Sequence, residues 1–123
     1  MKHKPEGLDR LLSAVDARDV EAFMSFLAED VIFQFGNAPP VKGATAVRAA
    51  VGVFFENLQG LRHEVREAWA EGDTDFCHGR VTYIRKDGRP LAVPFALVLG
   101  RRGGKISEYL IFVDASPLFR GGP

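Results

Sequence analysis

His63, Asp114, Tyr83 and Tyr109 are the side chains whose types suit proton-transfer chemistry. An imidazole with an ordinary pKa near 6.5 can take a proton from carbon or oxygen at neutral pH. A carboxylate beside it fixes ring and tautomer, and a phenol can hydrogen-bond an oxygen on which negative charge develops. His63 opens a strand-like run and, by simple alternation, shares a face with Val65, Glu67 and Trp69. Asp114 ends the last such run in an apolar setting, where it either orients His63 or caps the turn before Ala115-Ser116-Pro117. The two meet only if strand order and register bring them together. Against the catalytic roles stand plainer ones: a half-buried histidine bonded to backbone, and core tyrosines whose hydroxyls reach the surface. Gln34 and Asn37 flank an expected pocket mouth, although Asn37 also suits a turn. Trp69 is a packing anchor or a pocket wall, and Phe33, Phe35, Phe54 and Phe55 are core residues first and pocket lining second.

The remaining chemistry-bearing residues carry less. His78 falls with Arg80 and Thr82, and His3 sits near the start of the chain. Three histidines without HxH or HxxxH spacing, and one cysteine, give no expected metal site and no intrachain disulfide. Cys77 lacks a base partner and reads as a small buried apolar residue. Arg101-Arg102-Gly103-Gly104-Lys105 lacks the GxxxxGK[ST] pattern and reads as a hairpin tip.

These residues sit in a chain of 123, the length of one domain, here expected to span residues 1–123. Hydrophobic residues make up 46% and include ten Phe, enough for a core and too many for a disordered chain. Lys plus Arg is 16 and Asp plus Glu is 16, so there is no basic excess of the kind nucleic-acid binders show. Zero net charge also eases self-association. The charged start is followed by no apolar h-region, and stretches such as Leu91 to Leu99 are about half the ~20 residues a spanning helix needs. A cytoplasmic protein without membrane contact is therefore expected. The tail from Phe119 to Pro123 is expected to fray.

Three helical patterns come first. Leu8, Leu11, Leu12 and Val15 form one stripe, and Val20, Phe23, Met24 and Leu27 form another. Between them Asp16 to Asp19 reads as a break, with Asp19 as N-cap. The third, after Gly43, carries Val47, Ala50, Val51, Phe54 and Leu58. Gly52 inside it costs about 1 kcal/mol relative to Ala, and either marks close packing or does nothing special. A strand over Val31 to Phe35 precedes a stiff turn through Pro40. Four strand runs follow: Leu61 to Glu71, Phe76 to Arg85, Leu91 to Gly100 and Ile106 to Val113. Their short linking loops, Asp87-Gly88 foremost, force an antiparallel meander. The class is α+β, with three N-terminal helices on a long, strongly curved, mostly antiparallel sheet.

In the run from Leu91, both alternating faces are apolar, so one should meet the helices and the other a second subunit. Pro94 there is expected to need a bulge. In the last run Ser107, Tyr109, Ile111 and Val113 oppose Ile106, Glu108, Leu110 and Phe112. The faces bearing Tyr83 and Tyr109 mix small residues with a few polar tips, the pattern of a concave sheet that leaves a cavity.

This order of elements resembles the nuclear transport factor 2-like superfamily, and within it the SnoaL-like, ketosteroid-isomerase-like branch. The resemblance rests on Asp19 to Asp30, on Gly43-Ala44-Thr45-Ala46-Val47, on Gly103 to Ile106, and on Tyr109 to Asp114 with Pro117-Leu118. It implies a conical α+β barrel, an interior pocket for a small apolar or carbonyl-bearing molecule, no cofactor, and a homodimer through the sheet. It also implies where family acids should stand. The steroid-isomerase base falls on Phe35, its oxyanion acid on Ala96 and its tyrosine on Leu11, all apolar, so that activity is not expected. For the Asp-Arg-Asp set of limonene-epoxide hydrolases, only Arg80 with Asp114 offers itself; for the Asp/His pair of SnoaL cyclases, only His63 with Asp114. Two functions stay open. One is cofactor-free acid/base catalysis of isomerase, cyclase or dehydratase type, with His63 moving the proton, Asp114 orienting it and Tyr109 or Tyr83 stabilising oxygen charge. The other is a module that binds a small ligand or a protein without turnover.

Overall fold

The computed structural model describes residues 4–119, so the readings of His3 and of the tail beyond Phe119 lie outside the described residues. The apolar stripe predicted from Leu8 forms helix α1 (Leu8–Asp16), and the second forms the short helix α2 (Val20–Met24). Asp19 is the N-cap of α2, its carboxylate accepting from the Ala22 N–H at 3.1 Å. Strand β1 (Leu27–Phe35) starts earlier than the sequence suggested. A two-residue strand β2 (Val41–Lys42) precedes helix α3 (Ala44–Glu56), which buries Val47, Val51 and Phe55. Strands β3 (Leu58–Glu71), β4 (Thr74–Arg85), β5 (Pro90–Arg102) and β6 (Lys105–Val113) form the expected meander, and one turn of helix, α4 (Ser116–Phe119), follows.

All six strands form one sheet in the order β2-β1-β6-β5-β4-β3. α3 carries the chain from the β1–β2 edge to the opposite edge, and the meander then returns until β6 lies beside β1. That last pairing is parallel, with Phe33 opposite Tyr109; the others are antiparallel. The sheet curls round α1, α2 and α3, so its concave face meets the helices in a core that includes Leu11, Phe23, Val31, Val47, Leu97 and Leu99. The architecture is the expected α+β cone, with a short fourth helix added. No helix among the described residues is long and apolar enough to cross a membrane.

Two departures from simple alternation decide which side chains face inward. On β3 the register against β4 shifts between Val65 and Glu67. His63 and Val65 lie opposite Val81 and Gly79 on the concave face, whereas Glu67 and Trp69 lie opposite His78 and Phe76 on the convex one. A bulge adds one residue and so reverses every side chain beyond it. Gly79 permits it: a Cβ there would stand 1.9 Å from the Glu64 carbonyl oxygen and 2.9 Å from the Arg66 nitrogen. A second shift, at Gly100/Arg101 against Glu108/Ile106, turns Ile106 inward with Tyr109, against the expected opposition of the two. Pro94, by contrast, needs no bulge. The β4–β5 register runs unbroken from Thr74 to Ile84, and Pro94 lies one residue beyond the last β5–β6 pair, Phe95 with Val113. On that side no strand requires the N–H that proline lacks.

The remaining turns follow their residues. Asp87-Gly88 closes the β4–β5 hairpin, with Gly88 at φ 87° and the Asp87 carboxylate accepting from the Arg89 N–H at 2.9 Å. Nothing lies within 4 Å of a Cβ built on Gly52, so that glycine does not mark close packing.

Candidate functional site

Between the helices and the concave face lies a cavity of about 230 Å³. Alternation along β1 sends Phe33 and Phe35 into it, β4 supplies Tyr83, β6 supplies Tyr109 and Ile111, and α3 supplies Val51, Phe54 and Phe55. Exposed Ala38 and Pro39 stand at its rim. The rings hold one another in edge and tilted contacts. Phe23 and Phe33 each lie 5.4 Å from Tyr109, and Phe54 lies 5.2 Å from Phe35 and 5.9 Å from Tyr83. Edge and offset contacts of this kind are the favoured geometries of aromatic pairs.

His63 is the one histidine among the described residues that line the cavity. Its partner is not Asp114 but Asp16, the last residue of α1. One Asp16 oxygen accepts from His63 Nδ1 at 2.6 Å, and the other from the His63 backbone N–H at 3.0 Å. An ionised carboxylate only accepts, so Nδ1 carries the proton and Nε2 keeps its lone pair. Nε2 has no hydrogen-bond partner among the described residues. Phe95 stands edge-on to the imidazole, 5.0 Å between centroids at 90°, and closes its other flank. The His63 side chain is 11% exposed and that of Asp16 27%.

The backbone around Asp16 is fixed in its own right. The Asp19 N–H bonds the Ala14 carbonyl at 3.0 Å and the Arg18 N–H bonds that of Val15 at 2.9 Å, a Schellman closure of α1. It puts Arg18 in the left-handed region at φ 54°, where glycine is usual. From there the Arg18 guanidinium donates to the Leu58 carbonyl at 2.7 Å, tying the end of α1 to the start of β3, the strand that carries His63. An acid in the last turn opposes the helix dipole by about 0.3–1 kcal/mol. The two N–H donors of His63 offset that cost.

Tyr83 and Tyr109 both line the cavity, and neither hydroxyl has a hydrogen-bond partner among the described residues. Burial pushes both phenols well above their ordinary pKa; for Tyr109 the charges of Cys77, Asp16 and Tyr83 add to it. They are thus neutral donors at physiological pH. Cys77 is buried, and desolvation raises its thiol to about 11, which leaves it protonated and a poor nucleophile.

The other sequence-derived candidates lie elsewhere. Asp114 is exposed at the end of β6, where one carboxylate oxygen accepts from the Ser116 N–H at 3.1 Å and the Ser116 hydroxyl at 2.7 Å. It takes the turn-capping role. Gln34 points to the convex face, since its neighbours Phe33 and Phe35 point in, and its Nε2 donates to the Ala38 carbonyl at 3.0 Å. Asn37 is exposed in the turn after β1 and does not line the cavity. Trp69, beyond the β3 bulge, stacks on Phe76 on the convex face, 5.4 Å apart at 15°. His78 is there too, its Nε2 3.2 Å from Glu67. Arg80 is exposed, lies opposite Pro94 away from the cavity, and donates to the Ala92 carbonyl at 3.3 Å, so no epoxide-hydrolase set forms around it. Of the steroid-isomerase positions, Phe35 lines the cavity and Leu11 is buried in the core. Ala96 sits on the convex side opposite Phe112; its inward neighbours Phe95 and Leu97 are as apolar as it is.

Asp16 is the residue the sequence reading missed. In the sequence it reads as part of a helix break. The available signal was its position, an acid at a helix C-terminus, where the dipole favours a cation.

No curated protein sequence matches the chain. Solved structures do. A protein of Jannaschia sp. CCS1 described as a SnoaL-like polyketide cyclase superposes with a TM-score of 0.81 at 20% identity, covering 96% of this chain and 92% of that one. A Catenulispora acidiphila protein with a ketosteroid isomerase-like fold, in complex with trimethylamine, gives 0.83 at 18%, covering 93% and 89%. An epoxide hydrolase of M. tuberculosis gives 0.78 at 14%, covering 94% and 85%. At these identities the likeness is one of fold. The model of the SnoaL-like domain matches residues 8–109, from the start of α1 to Tyr109, and the chain belongs to that family.

Proposed function

We propose that the cavity binds a small, mostly apolar molecule and that His63, oriented by Asp16, performs cofactor-free acid/base chemistry on it. The observation that carries this reading is the two-point grip of Asp16 on His63, at 2.6 Å and 3.0 Å, in the wall of an otherwise apolar cavity. The carboxylate sets the tautomer so that a basic nitrogen is left over. In the proposed step Nε2 removes a proton from carbon next to a carbonyl. The electron pair moves onto the carbonyl oxygen, which the neutral hydroxyl of Tyr109 or Tyr83 stabilises as an enolate. The imidazolium, held by Asp16, then returns the proton to the same or a neighbouring atom, so charge and atoms balance over the cycle. Isomerisation, aldol-type cyclisation and dehydration all begin with this step.

The test is hydrogen–deuterium exchange at the α-carbon of cyclic ketones in D2O, followed by NMR. The wild-type chain is expected to speed exchange of at least one ketone by about 10²–10⁴-fold, the usual worth of a positioned base. His63→Ala is expected to abolish the effect with an unchanged circular dichroism spectrum. No acceleration across the panel points to binding without turnover, and full acceleration by His63→Ala refutes His63 as the base.

We further infer that a second copy of the chain covers the convex face. Phe112 is 56% exposed there beside Ala96, and the Trp69–Phe76 stack lies on the same side. Sedimentation of the wild type as a dimer, and of Phe112→Glu as a monomer, is the expected result; a wild-type monomer at micromolar concentration overturns it.

A further inference from the structure

The geometry points to a substrate class: an uncharged molecule of one or two fused rings carrying a ketone, with anions and larger ring systems excluded. This rests on the reading of the cavity as a binding site and deepens it. Size comes first. A cavity of about 150 Å³ takes benzene, and pockets for drug-sized ligands begin near 300 Å³. At about 230 Å³ the present one lies between them, too small for four fused rings. The lining agrees, because Phe35, Phe54 and Tyr83, packed on one another, give the space an aromatic wall that suits a ring.

Charge narrows the class further. Among the described residues that line the cavity, none is Lys or Arg. A carboxylate or phosphate would therefore enter an apolar space with no Lys or Arg to meet it. A cation fares little better. Aromatic faces would attract it, but no Asp or Glu is among the described residues that line the cavity, so it would be buried without a counter-charge. The polar groups that do remain are two phenol donors and one imidazole acceptor. A single carbonyl oxygen flanked by a C–H satisfies that set: the oxygen accepts from a phenol, and the C–H faces Nε2.

The test is an NMR titration of the full chain with four probes: α-tetralone (two rings, neutral), naphthoate (two rings, anionic), naphthylmethylamine (two rings, cationic) and androstenedione (four rings, neutral). α-Tetralone is expected to bind at least tenfold more tightly than each of the others and to shift resonances of Phe35, His63, Tyr83 and Tyr109. Ala50→Trp, which fills the cavity from an exposed position on α3, is expected to abolish that binding. Equal or tighter binding of naphthoate, of the amine or of androstenedione overturns the class. So does α-tetralone binding that survives Ala50→Trp at wild-type affinity, or no α-tetralone binding at all. Selective α-tetralone binding without α-proton exchange upholds the class and sinks only the catalytic reading.

Discussion

Replacing Asp16 by Asn changes the fewest atoms while removing the feature on which the site depends. The carboxylate accepts two N–H groups of one residue, at 2.6 Å from the ring and 3.0 Å from the backbone. An amide has the same shape but one acceptor oxygen. If that oxygen stays with the backbone N–H, which β3 holds in place, the amide NH2 faces Nδ1 and two donors collide. The imidazole relieves this by moving its proton to Nε2, the nitrogen needed as base. A hydrogen bond to a charged group is worth about 1.5–3 kcal/mol and a neutral one about 0.5–1.5. With the Asp16 side chain 27% exposed, the net loss of stability is expected at about 1–2 kcal/mol. The loss of activity is expected to be larger, about 10²–10⁴-fold in α-proton exchange, because the basic nitrogen is gone. Long-range nitrogen NMR of the histidine ring reads the tautomer directly: protonated Nδ1 in the wild type, protonated Nε2 in Asp16→Asn. Urea unfolding reads the stability. An unchanged tautomer together with exchange within threefold of wild type refutes the assignment of Asp16 as the orienting group.

Other perturbations test the scaffold. Gly79→Ala puts a Cβ 1.9 Å from the Glu64 carbonyl oxygen, so the β3 bulge must open; a loss of about 3 kcal/mol in urea unfolding is expected, and a loss below about 1 refutes the reason given for that glycine. Gly52→Ala, in the interior of α3 with open space around the new methyl, is expected to add about 1 kcal/mol, seen as a higher midpoint; an unchanged or lower midpoint contradicts it. Alkaline pH is expected to destabilise the fold. The Cys77 thiol is raised from 9.0 to about 11 and the Tyr83 and Tyr109 phenols are raised by burial, so folding favours the protonated forms. That stability is fully present below about pH 9 and is lost as pH rises, first through the thiol and then through the phenols. The urea midpoint should fall from about pH 9 upward, and less steeply in Tyr109→Phe; a midpoint independent of pH up to 11 refutes the assignment.

Much of the fold was legible because it is written in local periodicity. The stripe Leu8, Leu11, Leu12, Val15 could only be a helix face, and Asp87-Gly88 could only close a hairpin. Alternation likewise sent Tyr83 and Tyr109 to the concave side together with Phe33 and Phe35. The family resemblance carried the order of the elements.

Tertiary structure decided the rest. Trp69 was assigned to the face of His63 by counting in twos, but one bulged residue between them reversed it; bulges depend on the partner strand, here on Gly79 allowing the backbone in. The partner of His63 was sought in the apolar surroundings of Asp114, whereas it came from Asp16, on a helix and forty-seven residues earlier. A sequence shows each residue's neighbours along one line, and periodicity extends that view by a turn or a strand. Contacts between a helix end and a strand are set by how the sheet curls and where the helix is tied down, here by Arg18 on Leu58. The residue types for proton transfer were present in the sequence from the start; which carboxylate would meet the imidazole was fixed only when α1 was closed against β3.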